Sequence, residues 1–216
     1  MTVRAASDRS LLVSFGTSIS PEAQRSVARL THALHGVRGI LNLHPAFVSV
    51  LIDFDPRLRT HREIEELVWQ RMEAAEERAS APARLVEIPV AYGGENGPDL
   101  EDVARHADLS PEEVVTLHSG AEYEVSFVGF STCFPYLSGL PAKLATPRLT
   151  APRKHVAAGS IAIGGAQAGV YPLASPGGWR LIGRTSAKLF DPHSEPPALL
   201  KMGDRVRFVR APEGKL

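Results

Sequence analysis

The chain has 216 residues, 44% of them hydrophobic and 22% charged, with 24 basic residues against 24 acidic ones. That balance excludes intrinsic disorder and collagen-like repeats, and it leaves room for one large domain or two small ones, each able to bury a core. The one cysteine, Cys133, has no partner for an internal disulfide, which fits a reducing compartment such as the cytoplasm.

Residues 1–9 lack the apolar stretch of a secretory signal, so no export is expected. Residues 10–15 read as a strand. Ser20-Pro21 then supplies an N-cap and a proline at the first helical position, before Val27, Leu30 and Leu34 recur at helical spacing. That helix should end near His35-Gly36. Two apolar runs, 39–43 and 47–54, flank His44-Pro45, and Ile64, Leu67, Val68, Met72 and Ala75 mark a second amphipathic helix. With a further strand over 85–91, the order predicts a small α+β domain over residues 1–82, a sandwich of ferredoxin-like arrangement with its helices on one face.

The boundary at Ser80-Ala81-Pro82 rests on a change of composition, since only three of the 18 glycines and four of the 17 prolines precede residue 83. Residues 83–124 hold two basic residues against 10 acidic ones, whereas residues 125–216 hold 12 against 4. Within the acidic stretch, 98–118, two short helices are predicted over 98–106 and 110–117, the second opened by the capping box Ser110-Pro111-Glu112-Glu113. Short β-rich runs over 123–130, 160–163, 180–183, 188–190 and 205–209 follow, divided by glycine and proline, and they predict a β-barrel over 83–216. The uncharged run 156–179 is long enough to span a bilayer, but its glycines and prolines would leave backbone unpaired in lipid. It is read as strands and loops, with no membrane partner.

The chain carries no Gly-x-x-x-x-Gly-Lys phosphate loop, no Gly-x-Ser-x-Gly elbow and no Gly-x-Gly-x-x-Gly. His32 and His35 sit three apart without a third ligand, so no metal is expected. Cys133 would need His118 or His155 beside it to act as a nucleophile; flanked by aromatics, it reads as a packed thiol. Residues 158–185 combine Gly164 and Gly165 with Gln167, Tyr171, Ser175 and Arg184 among small side chains. That suits a pocket for a small polar ligand, and it equally suits tight barrel turns. Arg148, Arg153, Lys154, Arg180, Arg184 and Lys188 favour a carboxylate or phosphate over a cation, while their scatter argues against nucleic acid.

Several motifs together carry a resemblance: Tyr92-Gly93-Gly94-Glu95-Asn96-Gly97-Pro98-Asp99-Leu100, Phe134-Pro135-Tyr136-Leu137, Thr146-Pro147-Arg148 with Pro152-Arg153, Ser175-Pro176-Gly177-Gly178-Trp179, Ile182-Gly183-Arg184-Thr185, and Leu189-Phe190-Asp191-Pro192. With residues 164–172 and 203–206 they resemble the B-component family of bacterial 5-oxoprolinase, also described as allophanate hydrolase subunit 1 and as the KipI-type kinase inhibitor. The resemblance implies a cyclophilin-like barrel as the second domain and obligate partners, the cyclophilin-like C component and the A component of 5-oxoprolinase. It implies ATP-dependent opening of the 5-oxoproline lactam to glutamate by the assembly, with ATP and Mg2+ at a site the sequence does not place, partner subunits being one location, no cofactor bound by this chain, and no activity of the chain alone. Under it, Arg153 and Arg184 would hold anionic groups, Gln167 and the backbone at Gly164 and Gly165 would orient the amide, Tyr171 and Trp179 would shape the wall, and Ser175 would also bind substrate. Catalytic residues are not assigned. The family also implies two other roles, kinase inhibition by binding and urea-related carboxyltransferase or allophanate chemistry. One departure stands out: Thr132-Cys133-Phe134 replaces the Pro-Gly-Phe usual among relatives.

Overall fold

Ser20 opens the first helix as its sequence requires, accepting a hydrogen bond from the Ala23 N–H at 3.2 Å with Pro21 next to it. The structure is a computed structural model that describes residues 1–74 and 83–212, so Ala75 and the Ser80-Ala81-Pro82 boundary lie outside the described residues. Its contacts fall into two units, Met1–Pro82 and Ala83–Leu216.

In the first unit β1 (Thr2–Ser7), β2 (Ser10–Ser14), α1 (Pro21–Leu34), β3 (Ile40–Pro45), β4 (Ser49–Phe54) and α2 (His61–Ala74) follow in order. The four strands form one antiparallel sheet in the order β1-β2-β4-β3. Leu11, Val13, Val50, Ile52 and Phe54 point from one face into a core shared with Val27, Leu30, Leu34, Ile64 and Val68 of the helices. This is the sheet order of a ferredoxin-like sandwich, with the edge beside β2 filled by β1 instead of by a strand following α2. The strand expected there from residues 85–91 belongs to the second unit. The sequence hides β1 because only Val3 of its six residues is even partly buried, which leaves no apolar alternation to read.

The second unit contains β5 (Leu85–Tyr92), α3 (Leu100–Ala107), α4 (Pro111–Gly120), β6 (Tyr123–Val128), β7 (Pro135–Ser138), β8 (Arg153–Val156), β9 (Ser160–Gly164), β10 (Gln167–Val170), β11 (Ser175–Gly177), β12 (Arg180–Arg184) and β13 (Arg205–Arg210). Seven strands close into a barrel in the order β10-β7-β6-β13-β5-β12-β9. Only the β5–β13 pair in it is parallel, with Leu85 opposite Arg205 and Val90 opposite Arg210. Alternate residues, among them Ile88, Val90, Val125, Ile161, Ile163, Ala168, Val170 and Val206, fill the interior, and Leu100, Val103, Val114 and Val115 of the helices join the same core. The β8–β11 pair stands outside the barrel as a separate two-stranded sheet. Residues 188–190 form no strand; Phe190 makes one isolated bridge to Ala198. Among the described residues no helix is long and apolar enough to cross a membrane.

The Ser110 capping box forms as expected, with its Oγ accepting from Glu113 N–H and the Glu113 carboxylate accepting from Ser110 N–H. It starts the helix that buries His118 completely. The imidazole stacks on Phe208 at 4.6 Å, its Nδ1 lies 2.8 Å from the Tyr92 hydroxyl, and its Nε2 has no hydrogen-bond partner. Burial holds the ring neutral and pushes its pKa down to about 3. A depressed folded-state pKa means stability present above the unfolded value of ~6.5 and lost as pH falls below it. Denaturant titrations between pH 7.5 and 4.5 should therefore show stability falling by about 1.4 kcal/mol per pH unit below ~6.5 on account of His118. His118→Asn, which keeps an acceptor near the Nδ1 position but cannot titrate, should remove that slope.

Candidate functional site

Residues on the outer face of β7, β9 and β12, with others from β8 and from positions flanking the strands, make a second apolar layer, since side chains alternate across a strand. It consists of Phe134, Val156, Ala162, Tyr171, Trp179 and Leu181, with Tyr136 packed against it. Phe134 meets Tyr136, Tyr171 and Trp179 edge-on at 5.1, 5.1 and 5.5 Å. Three glycines of the 158–185 segment face these rings. A side chain at Gly164 would occupy the Trp179 indole, one at Gly177 would occupy the Tyr171 phenol, and one at Gly169 would lie 2.8 Å from Phe134. Gly165 differs: its φ of +65° turns the β9–β10 hairpin, and nothing stands within 4 Å of where a side chain would go.

The loop after β5 is locked onto this layer. Gly97 packs directly on the backbone of Ile182, and Asp99 N–H donates to Leu181 O at 2.8 Å. The Asp99 carboxylate, only 4% exposed, accepts from Leu181 N–H at 2.7 Å and from Arg153 Nη2 at 2.7 Å. Arg180 joins Asp102 at 3.2 Å and donates through Nε to Pro147 O at 3.2 Å. The segment 146–149 is held again by a reciprocal Thr146–Gly165 backbone pair and by Leu149 N–H donating to Gly178 O at 2.7 Å. From this segment the guanidinium of Arg148 covers Trp179 at 5.3 Å from the ring centroid.

Much of the positive charge of residues 125–216 is thus spent on the acidic stretch before it. Arg153 pairs with Asp99, Arg180 with Asp102, Arg205 with Glu122, Arg207 with Glu87 and Glu122, and Arg210 with Glu112. The acidic run signals that Asp99 and Asp102 have cationic partners, but which cations they meet depends on barrel closure.

Of the residues expected to bind ligand, Gly164, Gly165, Gln167 and Trp179 gather around the β9–β10 hairpin, with Gln167 on the outward face of β10, the same face as Gly169. Tyr171 is buried in the aromatic layer, and Ser175 on β11 has its Oγ buried without a partner. Arg153 keeps Nη1 buried and unpartnered beside its ion pair with Asp99. Arg184 stands apart, exposed, donating through Nε to Ala158 O at 3.1 Å. It pairs with Ser160 at one end of β9 while Gln167 pairs with Gly164 at the other. Four residues of strand rise separate those backbone ends by about 13 Å.

Cys133 adopts φ +61°, and Phe130 in the same turn adopts φ +63°. A left-handed conformation is one that glycine adopts without strain and a residue with a Cβ does not. Burial pushes the Cys133 thiol pKa up, so the neutral thiol dominates and a nucleophilic role is not favoured.

The first turn of α3 carries Glu101 and Asp102, and among the described residues no group of three or more His, Cys, Asp or Glu could hold a metal.

Gly164→Ala should force Trp179 from its seat and cost about 1–3 kcal/mol, read as a lowered denaturation midpoint with altered tryptophan emission. Cys133→Gly should be neutral or stabilising by up to about 1 kcal/mol, since it removes a strained φ.

The family model for the carboxyltransferase domain, subdomain C and D, matches residues 1–200. The B component of 5-oxoprolinase from Escherichia coli O157:H7 is 47% identical over 195 residues, spanning 89% of this chain and 88% of that protein. Its counterpart from Bacillus subtilis (strain 168), likewise a 5-oxoprolinase B component, is 39% identical over 226 residues, spanning 95% and 91%. Among solved structures, TTHA0988 superimposes with a TM-score of 0.83 at 38% identity, covering 96% of this chain, which spans 40% of that longer one. The urea carboxylase of Kluyveromyces lactis shares the fold, with a TM-score of 0.76 at 22% identity over 98% of this chain and 22% of its own. The chain therefore belongs to the carboxyltransferase subdomain C and D family, with the 5-oxoprolinase B components among its relatives.

Proposed function

We propose that this chain is the B component of a cytoplasmic, ATP-dependent 5-oxoprolinase, a hydrolase assembly that opens the lactam of 5-oxoproline to glutamate. The observation that carries the reading is its identity of 39–47% to proteins named as 5-oxoprolinase B components, over nearly their full lengths in two of three cases. The barrel, cyclophilin-like on this reading, is joined by the cyclophilin-like C component and by the A component. On this reading ATP and Mg2+ bind on partner subunits, and this chain is inactive alone.

Its own contribution is recognition. The β9–β10 hairpin, the clamped segment 146–149 and the ring layer form a fixed wall, and a planar lactam has an amide for Gln167 and the Gly165 backbone to orient. Fixing these groups before substrate arrives lowers the ordering cost of binding. Arg153 and Ser175, each with a buried unpartnered atom, support that wall from the β8–β11 side. A second reading, carboxyltransferase chemistry on a urea derivative, draws on the urea amidolyase of Lachancea kluyveri, 25% identical over all of this chain but only 14% of that protein.

Turnover separates these readings. ATP hydrolysis that depends on 5-oxoproline should occur in the complex of this chain with its A and C partners, and should be lost when any one is omitted. A complex that forms but responds only to urea or allophanate would favour the second reading. No complex at all would favour a binding regulator of the KipI kind.

A further inference from the structure

We propose that Arg148, held over Trp179, is the anchor for the carboxylate of a small cyclic amide acid, a role that rests on the function proposed above. Exposed arginines are usually mobile and solvated, and their ion pairs contribute little. Arg148 is exposed, yet its backbone is fixed on both sides. Thr146 pairs with Gly165, Pro147 O accepts from Arg180, and Leu149 N–H donates to Gly178 O. The guanidinium carbon then rests 5.3 Å from the indole centroid, so the head group is placed as well as its backbone.

What it lacks is an acid. The nearby carboxylates are taken: Asp99 by Arg153, and Asp102 by Arg105 and Arg180. Arg148 has no ion-pair partner among the described residues, and its charge also reaches the Tyr136 and Tyr171 hydroxyls, working against the upward push of burial on both. A planar fork with no acid of its own matches the two oxygens of a carboxylate. The Thr146–Gly165 pair sets this fork next to the hairpin that carries Gln167, so a ligand with a carboxylate on one side and an amide on the other meets both. A cover for Trp179 would need only the apolar part of the side chain, and that difference can be measured.

The test compares Arg148→Ala, Arg148→Met and Arg148→Lys in the assembled complex, with 5-oxoproline and its carboxylate-free analogue 2-pyrrolidinone as probes. Loss of a contact made equally in ground and transition states should raise KM for 5-oxoproline about 10- to 100-fold in the Ala and Met variants with kcat nearly unchanged. The Lys variant should recover part of that loss. Met, which still covers the indole, should behave like Ala; recovery with Met, or a KM within twofold of the parent in Arg148→Ala, would overturn the assignment while the proposed function stands. If the complex shows no turnover of 5-oxoproline, the functional reading fails instead. The anchor is then decided in the Trp69→Phe background, where Trp179 is the one remaining tryptophan. An emission change on adding 5-oxoproline to the full chain, absent with 2-pyrrolidinone and after Arg148→Ala, supports the anchor; no change overturns it.

Discussion

The second unit depends on aromatic rings seated directly on bare backbone. Trp179 rests on Gly164, Phe134 on Gly169 and Tyr171 on Gly177, so the layer outside the barrel approaches its strands more closely than any side chain would allow. Ring faces gain many weak contacts at that distance, and the edge-on pairs among them fix orientation as well as proximity. Everything attached to the layer inherits its position. The segment 146–149 hangs on Gly165 and Gly178, and the loop after β5 hangs on Leu181 and Ile182.

Charge explains why the layer is closed by polar brackets. Asp99 is nearly fully buried, but both of its oxygens have donors, from a backbone amide and from Arg153. Removing either partner would strand the other, a larger effect than the net worth of the pair. The acidic stretch and the basic remainder of the unit are therefore complementary halves of one internal network. Surplus cations left outside that network, Arg148 above all, are the ones available to an outside anion.

The sequence shows most of this fold through local chemistry. Ser20-Pro21 and the Ser110 capping box announce their helices, because the donors and acceptors of a helix start lie within a few residues. It conceals β1, whose residues are largely exposed, and β7, β8, β10 and β11, which are three or four residues long and rich in glycine, serine or basic side chains. The candidate site is legible only in part. Residues 164–179 stand out by composition, yet the choice between a ligand cradle and a seat for rings depends on which aromatics the fold sets on which glycines: Trp179 on Gly164, Tyr171 on Gly177, and Phe134, from outside the segment, on Gly169. Arg184 and Gln167 look like neighbours in a short segment, whereas the antiparallel pairing of β9 with β10 and β12 sends them to opposite strand ends.

Barrel closure has a consequence for how the protein is made. Residues 85–90 of β5 lie parallel to residues 205–210 of β13, so the first and last strands of the second unit are direct neighbours. On a ribosome β5 emerges early and must wait, one edge unpaired, until almost all of the remaining chain has been translated. The first unit, built from hairpins and helices adjacent in sequence, carries no such delay. Premature release or a truncated message would thus leave a finished first unit tethered to an open sheet, the kind of exposed edge that chaperones retain and that drives aggregation.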